Sequence, residues 1–207
     1  MPYIKQEGRP QFAGFVNDIV RVISEPGKSD YPRGEYFGYI VNRLVKRYLR
    51  YTPTEIDAQG LAFNYRSFPE SLRRSLTLWI DKVSSIVDGH DPLQSAGDLN
   101  YIISGILWGI TGDAEGVEQA SYGYRAYLRG ILGSIHDDIN PVHAQGNAET
   151  VMSVRRCRII RGVLEDVIDE FYRRRTSEYE EKKMIENGDI WYEGKLWTVN
   201  SVAKVEG

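Results

Sequence analysis

Apolar residues recur three and four positions apart along most of the chain, the spacing that places them on one face of an α-helix. In the stretch from 34 to 50 they form a single stripe, and the charged residues lie off it. That stripe consists of Phe37, Ile40, Val41, Leu44, Val45 and Tyr48. The same spacing predicts helices over about 15–23, 34–50, 67–87, 98–110, 119–139 and 149–185. The pattern therefore predicts a mainly α-helical fold, a helical bundle.

Proline and glycine mark the predicted ends of these helices. Residues 51–67 are predicted to form a long connection, and residues 88–97, which contain Pro92 and Gly97, are predicted to form a loop. An Asn-Gly pair at 187–188 is predicted to stop the last helix, because both residues accept the left-handed conformation found after helix ends.

The rest of the chain divides around this helical part. Residues 1–14 are polar and are predicted to form an N-terminal arm, and residues 15–186 are predicted to form the helical domain. Residues 187–207 are predicted to be a C-terminal hairpin and tail. Strand-forming residues flank Glu193-Gly194 there, which is typical of a small β-hairpin.

Three segments share one order of residues: 72–81, 128–137 and 160–169. Each has an aliphatic residue, then an arginine, a leucine three positions later and an aspartate eight positions after the arginine. Repeated helical units bury their apolar faces by packing on one another. The repetition predicts an internal duplication of a helical unit, with copies at about 15–88 and 97–186.

Two stretches of the sequence contain several uncommon residues in a distinctive order. Residues 97–103 read Gly-Asp-Leu-Asn-Tyr-Ile-Ile, and residues 162–189 contain Gly-Val-Leu-Glu, Glu-Phe-Tyr-Arg-Arg and Glu-Asn-Gly-Asp in that order. Together with the opening Met-Pro-Tyr-Ile-Lys, they resemble an uncharacterised family of short helical proteins of bacteria and phages. The resemblance implies a helical fold, a phage origin and an added or degenerate copy over about 25–95, but it implies no activity.

Composition narrows the class of protein. The 207 residues are 42% hydrophobic and 27% charged, which is ordinary for a globular protein. The net charge of −3 argues against a nucleic-acid-binding domain, which needs a basic excess. The single cysteine, Cys157, fits a reducing compartment. The longest apolar stretch, 99–110, is shorter than the ~20 residues that cross a bilayer. We therefore expect a cytoplasmic protein, in the host cytoplasm if it is phage-encoded, with no membrane contact.

Arginine clusters provide the main functional signal. They occur at 155–161 and 173–175, and the chain has 14 tyrosines, several of them near the repeats. Guanidinium groups bind phosphate through paired hydrogen bonds, and tyrosine rings can stack on a base. The sequence thus predicts a pocket for a small anionic, nucleotide-like ligand, and a homo-oligomer in which it lies at an interface. The candidate ligand-binding residues are Asn100, Tyr101, Arg129, Arg161, Tyr172 and Arg173.

An enzymatic alternative depends on acidic residues. Carboxylates at Glu165, Asp166, Asp169, Glu170, Asp137 and Asp138 could collect Mg²⁺, as in nucleotide pyrophosphohydrolases. However, the paired acidic motifs of that class are not found. Pairing four residues apart within a helix also accounts for Arg161–Glu165, Asp169–Arg173 and Glu170–Arg174. The sequence therefore favours a protein that is not an enzyme, with no cofactor, no metal site and no catalytic residue assigned.

A third alternative is an interaction protein. Trp191 and Trp197 of the predicted hairpin are good anchors for a protein interface. An adaptor or inhibitor would use this hairpin together with an exposed helical face. Minor alternatives are a metal site at His136 and His143 and a reactive thiol at Cys157, and neither has the partner residues that its chemistry needs.

Overall fold

Six α-helices dominate the computed structural model, which describes residues 9–24, 33–50, 68–112, 123–138, 148–178, 180–182, 191–192 and 195–196. The helices are α1 (Arg9–Ser24), α2 (Arg33–Tyr48), α3 (Glu70–Asp88), α4 (Pro92–Ile110), α5 (Arg125–Asp138) and α6 (Ala148–Phe171). The predicted mainly α-helical fold is confirmed. None of these six helices is both long enough and apolar enough to span a membrane.

Helix α1 begins earlier than the sequence predicted. It starts at Arg9, so residues 9–14 of the predicted arm are helical. Pro10 lies in its first turn, where the missing N–H has no helical partner to lose. Phe12 is only 1% exposed and joins the core. The predicted arm is therefore wrong over these residues, and residues 1–8 lie outside the described ranges.

The loop predicted over 88–97 is confirmed over 89–91 and wrong from Pro92 onward, because α4 begins there. The side chain of Asp91 accepts hydrogen bonds from the backbone N–H groups of Leu93 at 2.9 Å and Gln94 at 3.1 Å. Asp91 thereby caps the helix, and Pro92 occupies the first helical position, where proline is favoured. Gly97, which was predicted to lie in the loop, is buried inside the helix.

Helices α1 and α4 run in the same direction. An atom added at the Cβ position of Gly105 would lie 3.0 Å from Val16, and one added at Gly109 would lie 2.5 Å from Val20. The two glycines, one turn apart, therefore let α1 approach α4 closely. Helix α2 runs the opposite way, since the Arg33 guanidinium at its start donates to the carbonyl of Ile110 at the end of α4, at 3.4 Å.

The remaining helices extend this arrangement. The Tyr36 ring of α2 lies 4.6 Å from the Phe68 ring just before α3, and Arg50 after α2 pairs with Asp88 at the end of α3 at 3.0 Å. Helices α2 and α3 are therefore parallel to each other. The first half of α6 lies near the end of α2, because the Arg156 guanidinium reaches the Tyr48 carbonyl at 3.5 Å. The residues after α6 lie beside the end of α4, where Arg174 and Arg175 lie over Trp108. Helix α6 thus runs parallel to α4.

Helix α4 is the centre of the bundle. It contacts α1, α2, α3 and α6. Its inward-facing side chains belong to one continuous hydrophobic cluster, and each fully buried isoleucine or leucine there contributes about 1.5–3 kcal/mol to stability. These residues are Leu99, Ile102, Ile103, Ile106, Leu107 and Ile110.

Trp79 connects α3 to α1 by a hydrogen bond. Its indole Nε1 donates to the Phe15 carbonyl at 2.8 Å. We expect Trp79→Phe to reduce the free energy of unfolding by about 1 kcal/mol, because the carbonyl loses its donor. Urea denaturation followed by circular dichroism measures this. Leu78→Ala at the exposed neighbour is the control and should change stability by less than about 0.5 kcal/mol. Equal effects in the two variants would contradict this role of Trp79.

Two predictions about the fold remain open. Strands β1 (Trp191–Tyr192) and β2 (Lys195–Leu196) pair antiparallel, with Trp191 opposite Leu196. The turn between them and most of 187–207 lie outside the described ranges, so the hairpin stays a prediction. The internal duplication likewise stays a prediction. Among the repeated positions, Asp81 bonds Arg47 of α2 at 2.5 Å and Arg161 pairs with Glu165 of its own helix, and neither contact tests the duplication.

Candidate functional site

A π-helical turn continues α6 beyond Phe171. It covers Tyr172–Thr176, and the backbone N–H of Ser177 bonds the carbonyl of Tyr172, five residues earlier. Such turns are rare and occur frequently at functional sites. The sequence predicted one regular helix through this region. The turn carries three consecutive arginines, Arg173, Arg174 and Arg175.

Arginines of this region lie over aromatic rings. The guanidinium carbons of Arg174 and Arg175 lie 5.7 Å and 5.1 Å from the centroid of the Trp108 ring of α4. The guanidinium carbon of Arg125, the first residue of α5, lies 4.8 Å from the centroid of the Tyr172 ring. Cation–π attraction favours these positions. We call Trp108, Arg125, Tyr172, Arg174 and Arg175 the arginine–aromatic surface.

Two of these arginines have unused donors. The Nε atoms of Arg125 and Arg175 are buried and have no hydrogen-bond acceptor in the described ranges. No ion pair joins either residue to a carboxylate in that part of the chain. Leaving a buried charged donor unpaired costs free energy. Within the described ranges, each of these guanidiniums therefore keeps a hydrogen-bond donor that no side chain uses.

Arg173 and Arg174 of the π turn do have a carboxylate partner, because both bond Glu170 on the preceding helical turn. Arg173 Nη2 lies 2.9 Å from Glu170 Oε2, and Arg174 Nε bonds Glu170 Oε1. The hydrogen bond from Arg173 and the two positive charges lower the pKa of Glu170 below its ordinary value, against a smaller opposing effect of burial. Glu170 is therefore ionised at neutral pH and neutralises part of this charge.

Tyr172 lies on the outer side of the surface. Its ring is 39% exposed, and its hydroxyl donates to Glu180 Oε2 at 2.9 Å. This hydrogen bond and the charge of Glu180 raise the pKa of the Tyr172 phenol above its ordinary value. The phenol is therefore neutral at physiological pH. Thr176, one turn later, is fully buried, and its hydroxyl has no partner among the residues described.

The structure places the predicted ligand-binding residues in two groups. Tyr172 belongs to the arginine–aromatic surface and Arg173 is its neighbour in the π turn. Arg129 is exposed on α5, one turn after Arg125, so it lies on the same side of that helix. These three predicted residues thus lie on the elements that form the surface.

The other predicted residues lie elsewhere. Arg161 pairs with Glu165 at 2.9 Å and lies roughly 20 Å before Arg175 along the helix axis. Asn100 is buried in α4, and its side-chain oxygen accepts from Ser104 Oγ at 3.4 Å. Tyr101 is partly exposed on the same side of α4 as Trp108, about 10 Å before it. The structure does not bring Arg161 to the arginine–aromatic surface.

Four residues of this surface are not among the candidates from the sequence: Trp108, Arg125, Arg174 and Arg175. A signal existed for Trp108, because an aromatic residue seven positions after Tyr101 shares its helix face. Arg175 was part of the predicted arginine cluster without being selected from it. Arg125 had no local signal, since its ring partner Tyr172 comes from a distant helix.

The residues considered for other chemistry have different surroundings. Among the side chains that the structure describes, no group of three or more His, Cys, Asp or Glu could hold a metal ion. Glu165 is engaged by Arg161, and Cys157 is buried. The side chains of Asp137, Asp138 and His136, as well as His143 and the hairpin tryptophans, lie outside this description.

A buried acid pairs with histidine where α3 meets α4. His90 Nδ1 lies 2.5 Å from Asp98 Oδ2, and Asp98 is only 2% exposed. Burial raises the pKa of Asp98, while the hydrogen bond and charge of His90 lower it, and burial is the larger effect. Nearby, Ser95 Oγ donates to the carbonyl of Val87 at 2.8 Å. These contacts hold the turn between the two helices.

The arginine–aromatic surface thus joins α4, α5 and the end of α6 around two guanidiniums that lack an acceptor in the described ranges. It contains one of the residues selected from the sequence, Tyr172, and lies beside two others. Its interpretation depends on this geometry alone, because no protein-family model, no curated protein and no solved structure matches the chain.

Proposed function

We propose that this protein is a non-enzymatic binding protein that captures a small phosphate-bearing, nucleotide-like molecule at the arginine–aromatic surface. The observation that carries the proposal concerns the surroundings of the Arg125 and Arg175 guanidiniums. Each lies over an aromatic ring, and each has a buried Nε without an acceptor in the described part of the chain. A guanidinium held in one orientation binds phosphate with less loss of side-chain entropy.

Charge supports an anionic ligand. The whole chain carries a net charge of −3, yet this surface has three arginines, against two carboxylates bonded to it in the described ranges, those of Glu170 and Glu180. Clefts and patches of one charge sign raise the local concentration of oppositely charged ligands. A small anion is therefore attracted here although the protein as a whole is acidic.

The two rings support an aromatic portion in the ligand. Trp108 and Tyr172 are both partly exposed. Stacking of a base on an aromatic side chain contributes about 1–3 kcal/mol and needs no specific base. A base could stack on a free ring face, or on the outer face of a guanidinium that already lies over a ring.

Binding is favoured over catalysis by the acid nearest the arginines. Glu170 has a pKa below its ordinary value and bonds two arginines, so it is a weak proton acceptor. If the resemblance to short helical proteins of bacteria and phages reflects descent, capture of a signalling nucleotide in a host cytoplasm would suit such a protein.

Isothermal titration calorimetry with ADP as the probe tests this function. We expect Arg125→Gln and Arg175→Gln each to weaken ADP binding by about tenfold or more, because each removes one phosphate-binding fork. Arg21→Gln on α1 is the matched control, since Arg21 is exposed and pairs only locally with Asp18, and it should leave affinity unchanged. Circular dichroism melts confirm that the variants fold.

Either of two results would overturn the proposal. One is the same affinity for ADP in the wild type, both site variants and the control. The other is no heat of binding from the wild type with any of the diphosphates of adenosine, guanosine, cytidine and uridine.

A further inference from the structure

We infer that the ligand carries two linked anionic groups, as a nucleoside diphosphate does, and that Arg125 and Arg175 each bind one of them. This inference rests on the proposed function and specifies the ligand class of the same site. It starts from the positions of the two arginines, which belong to different elements and lie over different rings.

The two guanidiniums lie over rings that belong to different elements, the π turn and α4. Arg125 comes from α5 and lies over Tyr172, so Tyr172 faces α5. Arg175 lies over Trp108, so this part of the turn faces α4. One guanidinium fork pairs with two oxygens of a single phosphate. Two forks on separate rings therefore offer one fork to each of two linked phosphates.

Arg173 and Arg174 are not equivalent to this pair. Arg173 and Arg174 both bond Glu170, so part of their hydrogen-bonding capacity is already used. Arg125 and Arg175 have no carboxylate partner in the described ranges. The strongest contacts to an incoming anion are therefore expected at Arg125 and Arg175, which a diphosphate would bridge.

A diphosphate that bridges Arg125 and Arg175 would also tie α5 to the rest of the bundle. The outer face of α5 is sparsely covered, since atoms added at the Cβ positions of Gly130 and Gly133 meet nothing within 4 Å among the described residues. A ligand held by Arg125 on α5 and by Arg175 after α6 would restrain that helix. Slower amide hydrogen exchange in α5 is thus expected when the diphosphate binds.

Calorimetry with ADP, AMP, pyrophosphate and phosphate tests the inference on the full chain. The wild type should bind ADP about tenfold or more tightly than AMP, and pyrophosphate more tightly than phosphate. Arg125→Gln and Arg175→Gln should each reduce ADP affinity to about that of AMP while changing AMP affinity much less. Arg21→Gln should keep the preference for ADP.

The outcomes separate this inference from the proposed function. Equal wild-type affinities for ADP and AMP, both lost in each variant, would overturn the inference and leave the function standing, because both arginines would then hold a single phosphate. A preference for ADP that survives both substitutions would also overturn it. Absence of binding to all four probes would overturn the inference and remove support for the function.

Discussion

Gly109→Ala is expected to destabilise the protein by roughly 1–3 kcal/mol, because it overpacks the contact between α1 and α4. An alanine Cβ at this position would lie 2.5 Å and 2.9 Å from the two methyl carbons of Val20. Valine is branched at Cβ and has one strongly preferred side-chain rotamer in a helix, so it cannot easily turn aside. The helices would have to move apart along their contact. Urea denaturation of the wild type and the variant measures the change.

Gly133→Ala is the matched control for this prediction. Gly133 also lies inside a helix, but an added Cβ meets no described atom within 4 Å. Alanine should therefore stabilise that variant by up to about 1 kcal/mol through its higher helix propensity. Val20→Ala in the Gly109→Ala background should recover part of the loss, since the two sites are in contact. Stabilisation by Gly109→Ala would show that α1 and α4 do not approach this closely.

The second large effect is expected at Asp98. Asp98→Ala should reduce the free energy of unfolding by roughly 1–3 kcal/mol, because it removes a buried hydrogen bond and leaves His90 Nδ1 without this partner. The bond joins Asp98 to His90 at 2.5 Å and closes the turn between α3 and α4. Asp91→Ala is a useful comparison. It removes only the helix cap and should cost about 1 kcal/mol.

Asp98 also gives stability a defined pH dependence. Burial raises its pKa, so the folded protein holds this proton more tightly than the unfolded chain does. The part of the stability that depends on this proton is therefore present below the unfolded pKa of about 3.9 and is lost as pH rises through the raised pKa. Relative to Asp98→Asn, the wild type should lose stability as pH rises through this range. Urea midpoints between about pH 3.5 and 7 test this, and a constant difference between the two proteins would contradict the raised pKa.

Local sequence signals predicted the helices well where burial alone decides the structure. All six apolar positions predicted for one face of α2, from Phe37 to Tyr48, are buried. The pattern fails at the start of α4, because Pro92 and Gly97 are residues that usually interrupt a helix. Proline begins a helix when a capping residue precedes it, and Asp91 is that residue. The meaning of a proline thus depends on its neighbour.

The candidate site was less predictable from the sequence, because its residues are far apart along the chain. Ion pairs within one helix, such as Arg161–Glu165 and Glu170–Arg174, form as the spacing predicted. The contact of Arg175 with Trp108 depends on how α4 and α6 pack, and no periodicity encodes it. The π turn is equally invisible to a helical pattern, because it changes the residue spacing only over Tyr172–Thr176.

The close contact of α1 with α4 has a consequence for how the chain folds during synthesis. Helix α1 leaves the ribosome first, but Gly105 and Gly109, which receive Val16 and Val20, are made roughly ninety residues later. At about 5–20 residues per second, the nascent α1 remains without this partner for several seconds. The first half of the chain therefore cannot complete its core alone. Helix α4 is the element whose arrival allows α1 to dock, so the cooperative folding unit is expected to extend across both halves of the chain.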